Sequence, residues 1–241
     1  MNPDFRRTLR DHATRAYRQT GPFNYRWARG KLGQDAIFPA LIEHGVFHDH
    51  ARVLDLGCGR GLLAAWLLAA EQLAEAGQWP GHLPPPPRKL RFRGFELMGR
   101  EAEVGNRALQ PHFPGRVEFA GGDMCQVPLE DVDAVAILDV LHYVDYAAQE
   151  ALLDRIRAAL PPGGVFITRV GNAAAGWRFR FSQLVDRCMA GVQGHRHPPT
   201  WCRPLEDWQA QLGKRGFCVS ASPMSHGTLF ANVMLVARVP A

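Results

Sequence analysis

Residues 53–61 read Val-Leu-Asp-Leu-Gly-Cys-Gly-Arg-Gly, an apolar segment that runs into three alternating glycines. A short apolar run of this kind predicts a buried strand, and the Leu- and Ala-rich residues 61–76 that follow predict a helix. Gly57, Gly59 and Gly61 allow a tight turn and let a ligand approach the backbone closely. The segment therefore predicts a ligand-binding loop between a strand and a helix.

The spacing of these glycines indicates what kind of ligand the loop accepts. Gly-x-Gly-x-Gly differs from the Gly-x-Gly-x-x-Gly of dinucleotide-binding loops. Asp55 stands two positions before the first glycine. A carboxylate at that point would repel a pyrophosphate but would attract a cation. We therefore expect a cationic ligand.

Apolar strand patterns alternate with helical patterns over the rest of the chain. This alternation predicts βαβ units, and hence an α/β, doubly wound and mostly parallel sheet with helices on both faces. The predicted strands are residues 51–56, 90–96, 117–120, 132–138, 165–170, 217–221 and 229–237, and the helices among them are residues 61–76, 99–109, 146–160 and 204–215.

Two additions flank this alternating pattern. Residues 1–48 predict an N-terminal helical cap, with a basic amphipathic helix at 1–20, an aromatic and basic stretch at 23–31 and a short helix at 35–44. Residues 49–241 form the predicted Rossmann-like domain. Within this domain, residues 171–200 are a helical insertion, interpreted either as a lid or as an ordinary surface helix. An aromatic face and nearby basic residues favour the lid: Arg169, Trp177, Arg178, Arg180, Phe181, Leu184 and Met189.

Composition limits the class of protein. The chain has 241 residues, 46% of them hydrophobic, and a formal net charge of +5. No apolar run is long enough to span a bilayer, and no secretory signal is recognisable. Five scattered cysteines indicate reduced thiols, so we expect a cytoplasmic protein. The basic N-terminus could attract nucleic acid, an anionic membrane, an acidic carrier protein or an acidic substrate, or it could simply be a solvated helix face.

Acidic residues follow the predicted strands, at the edge where parallel α/β sheets bind ligands. Glu96, at the end of the second strand, could accept hydrogen bonds from both hydroxyls of a ribose. Asp123 could accept a hydrogen bond from an adenine amino group, and Met124 could pack on the base. Asp139 follows the fourth strand. Two alternatives stay open, a turn role for Asp123 and a helix cap for Asp139.

Five segments, in this order, resemble the class I (Rossmann-like) S-adenosylmethionine-dependent methyltransferase family: VLDLGCGRG, GFEL, GGDM, ILDVLHYVD and LPPGGVFI. The resemblance covers residues 50–170 and, more weakly, 200–237. It implies a seven-stranded sheet whose last strand, at 229–237, is antiparallel. It also implies S-adenosyl-L-methionine as cofactor.

The resemblance implies a role for each residue at the strand ends. Asp55, Gly57 and Gly59 would line the methionine part and Gly61 would begin the helix; Glu96 would hold the ribose, Asp123 and Met124 the adenine; Asp139 would lie beneath the transferred methyl. Cys58, Leu97 and Arg29 complete the expected cofactor contacts. The stretch Tyr25–Lys31, YRWARGK, is also similar to a bacterial subgroup of small-molecule methyltransferases associated with aryl polyene gene clusters.

The sequence predicts less about the methyl acceptor than about the cofactor. We expect a small-molecule substrate with an aromatic or polyketide-type hydroxyl or carboxyl group, either free or bound to a carrier protein. His142 is the candidate catalytic base, or else it only packs beside the cofactor; Tyr143 could line the same pocket. The set Cys188, His195, His197 and Cys202 lacks Cys-x-x-Cys spacing, so no zinc site is predicted.

Two alternatives from other functional classes remain. One is an RNA methyltransferase, which the basic charge suggests. The strand-four sequence Leu138-Asp139-Val140-Leu141 lacks the Asn/Asp-Pro-Pro-aromatic motif of base N-methylation, so nucleic acid is not the expected partner. The other is a cofactor-binding protein without catalysis, against which the complete set of acidic positions argues.

Overall fold

Seven strands form one sheet within residues 1–171, 200–224 and 232–241, the parts of the chain that the computed structural model describes. The strand order is β3-β2-β1-β4-β5-β7-β6. The strands are β1 Arg52–Leu56, β2 Arg91–Glu96, β3 Val117–Gly121, β4 Ala134–Leu138, β5 Val165–Gly171, β6 Cys218–Pro223 and β7 Asn232–Arg238.

Strand directions match the predicted fold class. β1 pairs in parallel with β2 and with β4, and β2 pairs in parallel with β3. β7 runs antiparallel to both β5 and β6. The chain moves outward from β1 to β3 and then returns to β4, which is the doubly wound order. The prediction of a mostly parallel α/β sheet with an antiparallel last strand is confirmed.

The described helices follow the predicted positions after β1. They are α1 Pro3–Thr14, α2 Pro22–Gln34, α3 Ile37–Glu43, α4 Leu62–Glu75, α5 Gly99–Leu109, α6 Tyr146–Ala159 and α7 Leu205–Lys214. The predicted lid residues Trp177, Phe181, Leu184 and Met189 lie outside the described residues.

The N-terminal region departs from the sequence prediction. The single helix expected at 1–20 ends at Thr14, and a 3₁₀ segment, Arg15–Thr20, follows it. The aromatic and basic stretch at 23–31, where no helix was predicted, belongs to α2. Pro22 occupies the first turn of α2, where its fixed φ suits the helix and its missing N–H costs nothing. Gly21-Pro22 therefore starts a helix as well as ending one.

The chain divides within β4 into two compact units, Met1–Ala136 and Ile137–Ala241. The first unit contains α1–α5 and β1–β3, and in it α1 packs on α4 while the 3₁₀ segment packs on α5. The second unit contains α6, α7 and β5–β7. The N-terminal helices thus belong to the same unit as the glycine loop; a domain boundary at 48/49 stays a prediction.

Three glycines in or near the glycine loop of the first unit pack against the ring of Phe119. A Cβ added at Gly61, Gly94 or Gly105 would come within 2.4 to 2.8 Å of the ring of Phe119. The absence of three side chains therefore lets α4, β2 and α5 close around one ring of β3. Gly61 additionally has φ +76°, which L side chains rarely adopt. This packing fixes where the loop meets the start of α4.

Candidate functional site

The glycine loop, residues 57–61, bonds four of its five amide groups within the protein, those of Gly57, Cys58, Gly59 and Gly61. Gly57 N–H donates to the carbonyl of Phe95 at 2.8 Å, and Gly59 N–H donates to Oε2 of Glu96 at 3.0 Å. A phosphate-binding loop instead presents its amides to the anion. The loop is therefore built for a ligand that does not need those donors.

Cys58 lies in the loop with its side chain turned into the protein. The residue is 7% exposed, and its Sγ would lie 2.9 Å from a Cβ added at Gly94. Burial, together with the nearby carboxyl groups of Asp55 and Glu96, raises the pKa of the Cys58 thiol. Cys58 therefore stays a neutral thiol, and its N–H also donates to the Phe95 carbonyl, at 3.2 Å.

Asp55 is a carboxyl group buried on β1. It is 3% exposed, and burial together with the neighbouring charge of Glu96 raises its pKa to about 7. A buried carboxyl with a second acid beside it favours a bound cation, which would stabilise its ionised form. The pair therefore creates an environment suited to a sulfonium or ammonium group.

Glu96 ends β2 at the same edge. Its Oε1 accepts from the Met98 N–H at 3.1 Å, in addition to the bond from Gly59. The two apolar side chains that follow are exposed, Leu97 at 77% and Met98 at 41%. An exposed apolar pair directly after a hydrogen-bonding carboxylate is a surface that a ligand could cover.

Asp123 follows β3 and lies close to Glu96 along the sheet edge. The register of β2 and β3 pairs Glu96 with Gly121. The Gly122 N–H donates to the Glu96 carbonyl at 3.0 Å. Oδ1 of Asp123 accepts from the Cys125 N–H at 2.9 Å. The turn role left open from the sequence is thus present. A contact of Asp123 or of the half-buried Met124 with adenine stays a prediction.

Arg29 lies on α2 and forms an ion pair with Asp11 on α1. Its Nη1 is 2.6 Å from Oδ1 of Asp11 and 3.3 Å from the hydroxyl of Tyr25. A cofactor contact from Arg29 would require the guanidinium to leave or share Asp11, and it stays a prediction.

Sequence reasoning missed the residues that hold Arg60. Its carbonyl accepts from the Tyr17 hydroxyl at 2.7 Å, its Nε pairs with Glu101, and its guanidinium lies over the Trp27 ring at 4.5 Å. Tyr17 lies within the helix predicted at residues 1–20, but no sequence signal connects it to a residue 43 positions away.

In the second unit, Asp139 forms a bidentate ion pair with Arg169 of β5. Asp139 has φ +64°, and the short 3₁₀ helix after it, Leu141–Tyr143, has Val140 at its N-cap and no side-chain cap. The helix-cap alternative for Asp139 is therefore wrong. Arg169, one of the basic residues on which the lid prediction depends, thus pairs with an acid of the protein itself.

His142 lies on the same 3₁₀ helix, with its ring 4.1 Å from the Tyr143 ring, centroid to centroid. Its carbonyl accepts from the Trp201 N–H at 2.8 Å. The fully buried Gln149 of α6 has Nε2 2.8 Å from the Trp201 carbonyl and 2.9 Å from the Val144 carbonyl. These bonds connect the segment that carries His142 to the chain at Trp201.

Neither a metal centre nor a membrane span is found in the described parts of the chain. No group of three or more His, Cys, Asp or Glu side chains there could hold a metal ion. Of the residues considered for zinc, Cys188, His195 and His197 lie outside those parts. None of the described helices is both long enough and apolar enough to cross a bilayer.

Sequence comparison finds a relative that is named as an O-methyltransferase. Tetracenomycin polyketide synthesis 8-O-methyl transferase TcmO of Streptomyces glaucescens is 30% identical over 145 residues, which is 58% of this chain and 38% of that protein. The chain thus spans well under half of that relative's length.

Solved structures of methyltransferases share the fold. Magnesium protoporphyrin IX methyltransferase (ChlM) of Synechocystis PCC 6803, solved with S-adenosylhomocysteine bound, matches with a TM-score of 0.58 and 17% identity, over 96% of this chain and 98% of that one. The pyocyanin biosynthetic protein PhzM matches with a TM-score of 0.62 and 22% identity, over 93% of this chain and 61% of that one.

A family model described as a methyltransferase domain matches residues 34–221, more than half of the chain. That span contains the glycine loop and the strand ends that carry Glu96, Asp123 and Asp139. With its seven-stranded sheet and internally satisfied glycine loop, the chain belongs to the methyltransferase family, whose cofactor is S-adenosylmethionine.

Proposed function

We propose that the protein transfers a methyl group from S-adenosylmethionine to a hydroxyl or carboxyl oxygen of a small aromatic or polyketide-type molecule. The observation that carries the proposal is the carboxyl pair Asp55 and Glu96 beside a loop whose Gly57 and Gly59 amides are already satisfied. Such a site rejects pyrophosphate and favours a cation. The bound cofactor would supply an electrophilic methyl group on a sulfonium.

The residues of the first unit fit S-adenosylmethionine. Glu96 would accept hydrogen bonds from the ribose, and Asp55 would balance the positive charge of the methionine part. The exposed side chains of Leu97 and Met98, with Met124, would cover the adenine. Cofactor binding would expel water from these apolar side chains, which favours association.

In the second unit, we assign the proton transfer to His142. Methylation of a hydroxyl forms one C–O bond, breaks one S–C bond and releases the hydroxyl proton. An imidazole accepts such a proton at neutral pH. Tyr143, 47% exposed beside His142, would pack against an aromatic acceptor.

The substrate class rests on the relatives. The matched relative of Streptomyces glaucescens is named for 8-O-methyl transfer in polyketide synthesis. An aromatic polyketide carries phenolic hydroxyls, which need only alignment and a base to react. Delivery of the acceptor on a carrier protein and a cytoplasmic location belong to the same proposal.

A radiolabelled methyl-transfer assay tests the proposal. The chain would be incubated with methyl-labelled S-adenosylmethionine and, separately, with phenolic acids, polyketide phenols and total RNA. We expect label in the phenol or acid fraction, and a loss of at least tenfold in kcat for His142→Ala with cofactor affinity unchanged. Label transferred only to RNA would contradict the substrate class, and cofactor binding without any transfer would favour a non-catalytic protein.

A further inference from the structure

The fourth residue of the glycine loop, Arg60, contacts three other elements. Its carbonyl oxygen accepts from Tyr17 in the 3₁₀ segment at 2.7 Å. Its Nε pairs with Glu101 of α5, and its guanidinium lies over the ring of Trp27 on α2 at 4.5 Å. The position of the loop therefore depends on residues far outside the glycine motif.

The bond from Tyr17 lies in the interior of the first unit. Tyr17 is fully buried, and burial raises the pKa of its hydroxyl, which favours the protonated form that donates this bond. A Cβ added at Gly105 would lie 2.9 Å from the Arg60 carbonyl oxygen. The carbonyl thus sits between a buried donor and a glycine of α5, where losing the donor would leave it unsatisfied.

The 3₁₀ segment is itself fixed to the helix that follows β2. Gln19 donates through Nε2 to the carbonyls of Arg107 and Ala108 at 2.9 and 3.0 Å. These carbonyls lie in the last turn of α5, whose orphan acceptors need such partners. The segment therefore connects the C-terminal end of α5 to the glycine loop.

We propose that Tyr17 and Trp27 are positioning residues for the cofactor loop, so that the N-terminal helices form a working part of the cofactor site. Tyr17 fixes the loop backbone at Arg60, and Trp27 fixes the side chain. Because coupling between two sites is reciprocal, cofactor binding at the loop also stabilises the N-terminal segment. The inference rests on the proposed placement of the cofactor at this loop.

Two matched pairs of variants test it. Tyr17→Phe removes one hydroxyl and keeps the buried ring, while Thr14→Val removes a buried hydroxyl that donates to the Arg10 carbonyl at 2.9 Å. Trp27→Ala removes the ring over Arg60, and Arg26→Ala removes the neighbouring exposed side chain on α2. Each pair alters the same region but differs in contact with the loop.

Two measurements are made on each variant of the full chain. The first is hydrogen exchange of the glycine-loop amides without cofactor, which we expect to be faster in Tyr17→Phe and Trp27→Ala than in their controls. The second is the Kd for S-adenosylhomocysteine. It should rise about five- to tenfold in the two loop variants, because Tyr17→Phe loses one hydrogen bond and Trp27→Ala loses one cation–π contact, and less than twofold in the controls.

The two measurements distinguish the possible failures. The inference would be overturned if the hydrogen exchange of the loop amides changed equally in a variant and its control. It would also be overturned if the Kd for S-adenosylhomocysteine changed equally in the two. If the wild-type chain does not bind S-adenosylhomocysteine, the proposed cofactor placement fails, and the exchange data alone then decide whether Tyr17 and Trp27 hold the loop.

Discussion

Asp55 carries a pH dependence that follows from its burial. Its pKa is raised from 3.8 to about 7. Below about pH 4 the carboxyl is protonated in both the folded and the unfolded chain. As the pH rises towards 7, only the unfolded chain releases the proton, so this group's contribution to stability is lost through that range.

Asp55→Asn should remove that dependence. Thermal unfolding of the cofactor-free chain at pH 5, 6, 7 and 8 should show a wild-type midpoint that falls relative to the variant. Glu103→Gln, at an exposed position of α5, is the control and should follow the wild type. Parallel curves for wild type and Asp55→Asn would show that the carboxyl is not buried and protonated as described.

The sequence was sufficient to identify the site residues that lie at or near the ends of strands. Asp55, the loop glycines and Glu96 all stand at strand ends, and the carboxyl ends of parallel strands meet at one edge. It did not identify the partners of Arg60 or Asp139. Those contacts join residues 43 and 30 positions apart, and they depend on how helices and strands pack.

At the scale of elements, the packing around Phe119 predicts the effect of adding a single methyl group. Gly94→Ala would place a Cβ 2.7 Å from the Phe119 ring and 2.8 Å from the Cβ of Cys58. Overpacking of this kind costs about 1–3 kcal/mol of unfolding free energy. Chemical denaturation measures it, and Gly30→Ala is the control, because its added Cβ would meet nothing within 4 Å.

A double-mutant cycle identifies the ring as the cause. In a Phe119→Leu background, the same Gly94→Ala change should cost less, because the smaller side chain leaves room for the methyl. A penalty of equal size in both backgrounds would mean that Phe119 does not set the packing of β2.

Gln149 connects α6 to the chain around His142. Gln149→Leu would leave the carbonyls of Trp201 and Val144 without this buried donor, which costs on the order of 1–3 kcal/mol of unfolding free energy. We also expect a lower kcat with an unchanged Kd for S-adenosylhomocysteine. Steady-state kinetics and calorimetry separate the two quantities.

The control for this variant lies in the same unit. Gln211→Leu alters a glutamine on α7 that bonds Arg215, and it should leave kcat unchanged. A Gln149→Leu enzyme whose kcat matches that of Gln211→Leu would show that Gln149 does not position His142.

Element boundaries from the sequence were close where the hydrophobic period was clear. α5 was predicted at the observed residues, and β2 within one residue. The N-terminal region was harder, because the change from α-helix to 3₁₀ helix after Thr14 involves no break in composition. α2 was missed because Gly21-Pro22 signals the end of one helix as readily as the start of the next.

At the scale of the whole molecule, the alternation of strand and helix patterns predicted the fold class. It implied βαβ units, and hence a doubly wound sheet, before the strand order was known. The place of β7 between β5 and β6 follows from pairing between distant segments. The family resemblance implied that the last strand is antiparallel, but it did not give the place of that strand in the sheet.

The central claim is that the acidic strand ends of this fold bind S-adenosylmethionine. The most direct test is a calorimetric titration of the full chain with S-adenosylhomocysteine, beside the Glu96→Ala variant. We predict one site per chain, and a loss in the variant on the order of 2–4 kcal/mol of binding free energy, because two charge-assisted hydrogen bonds disappear. Equal affinity for the wild type and Glu96→Ala would contradict the claim.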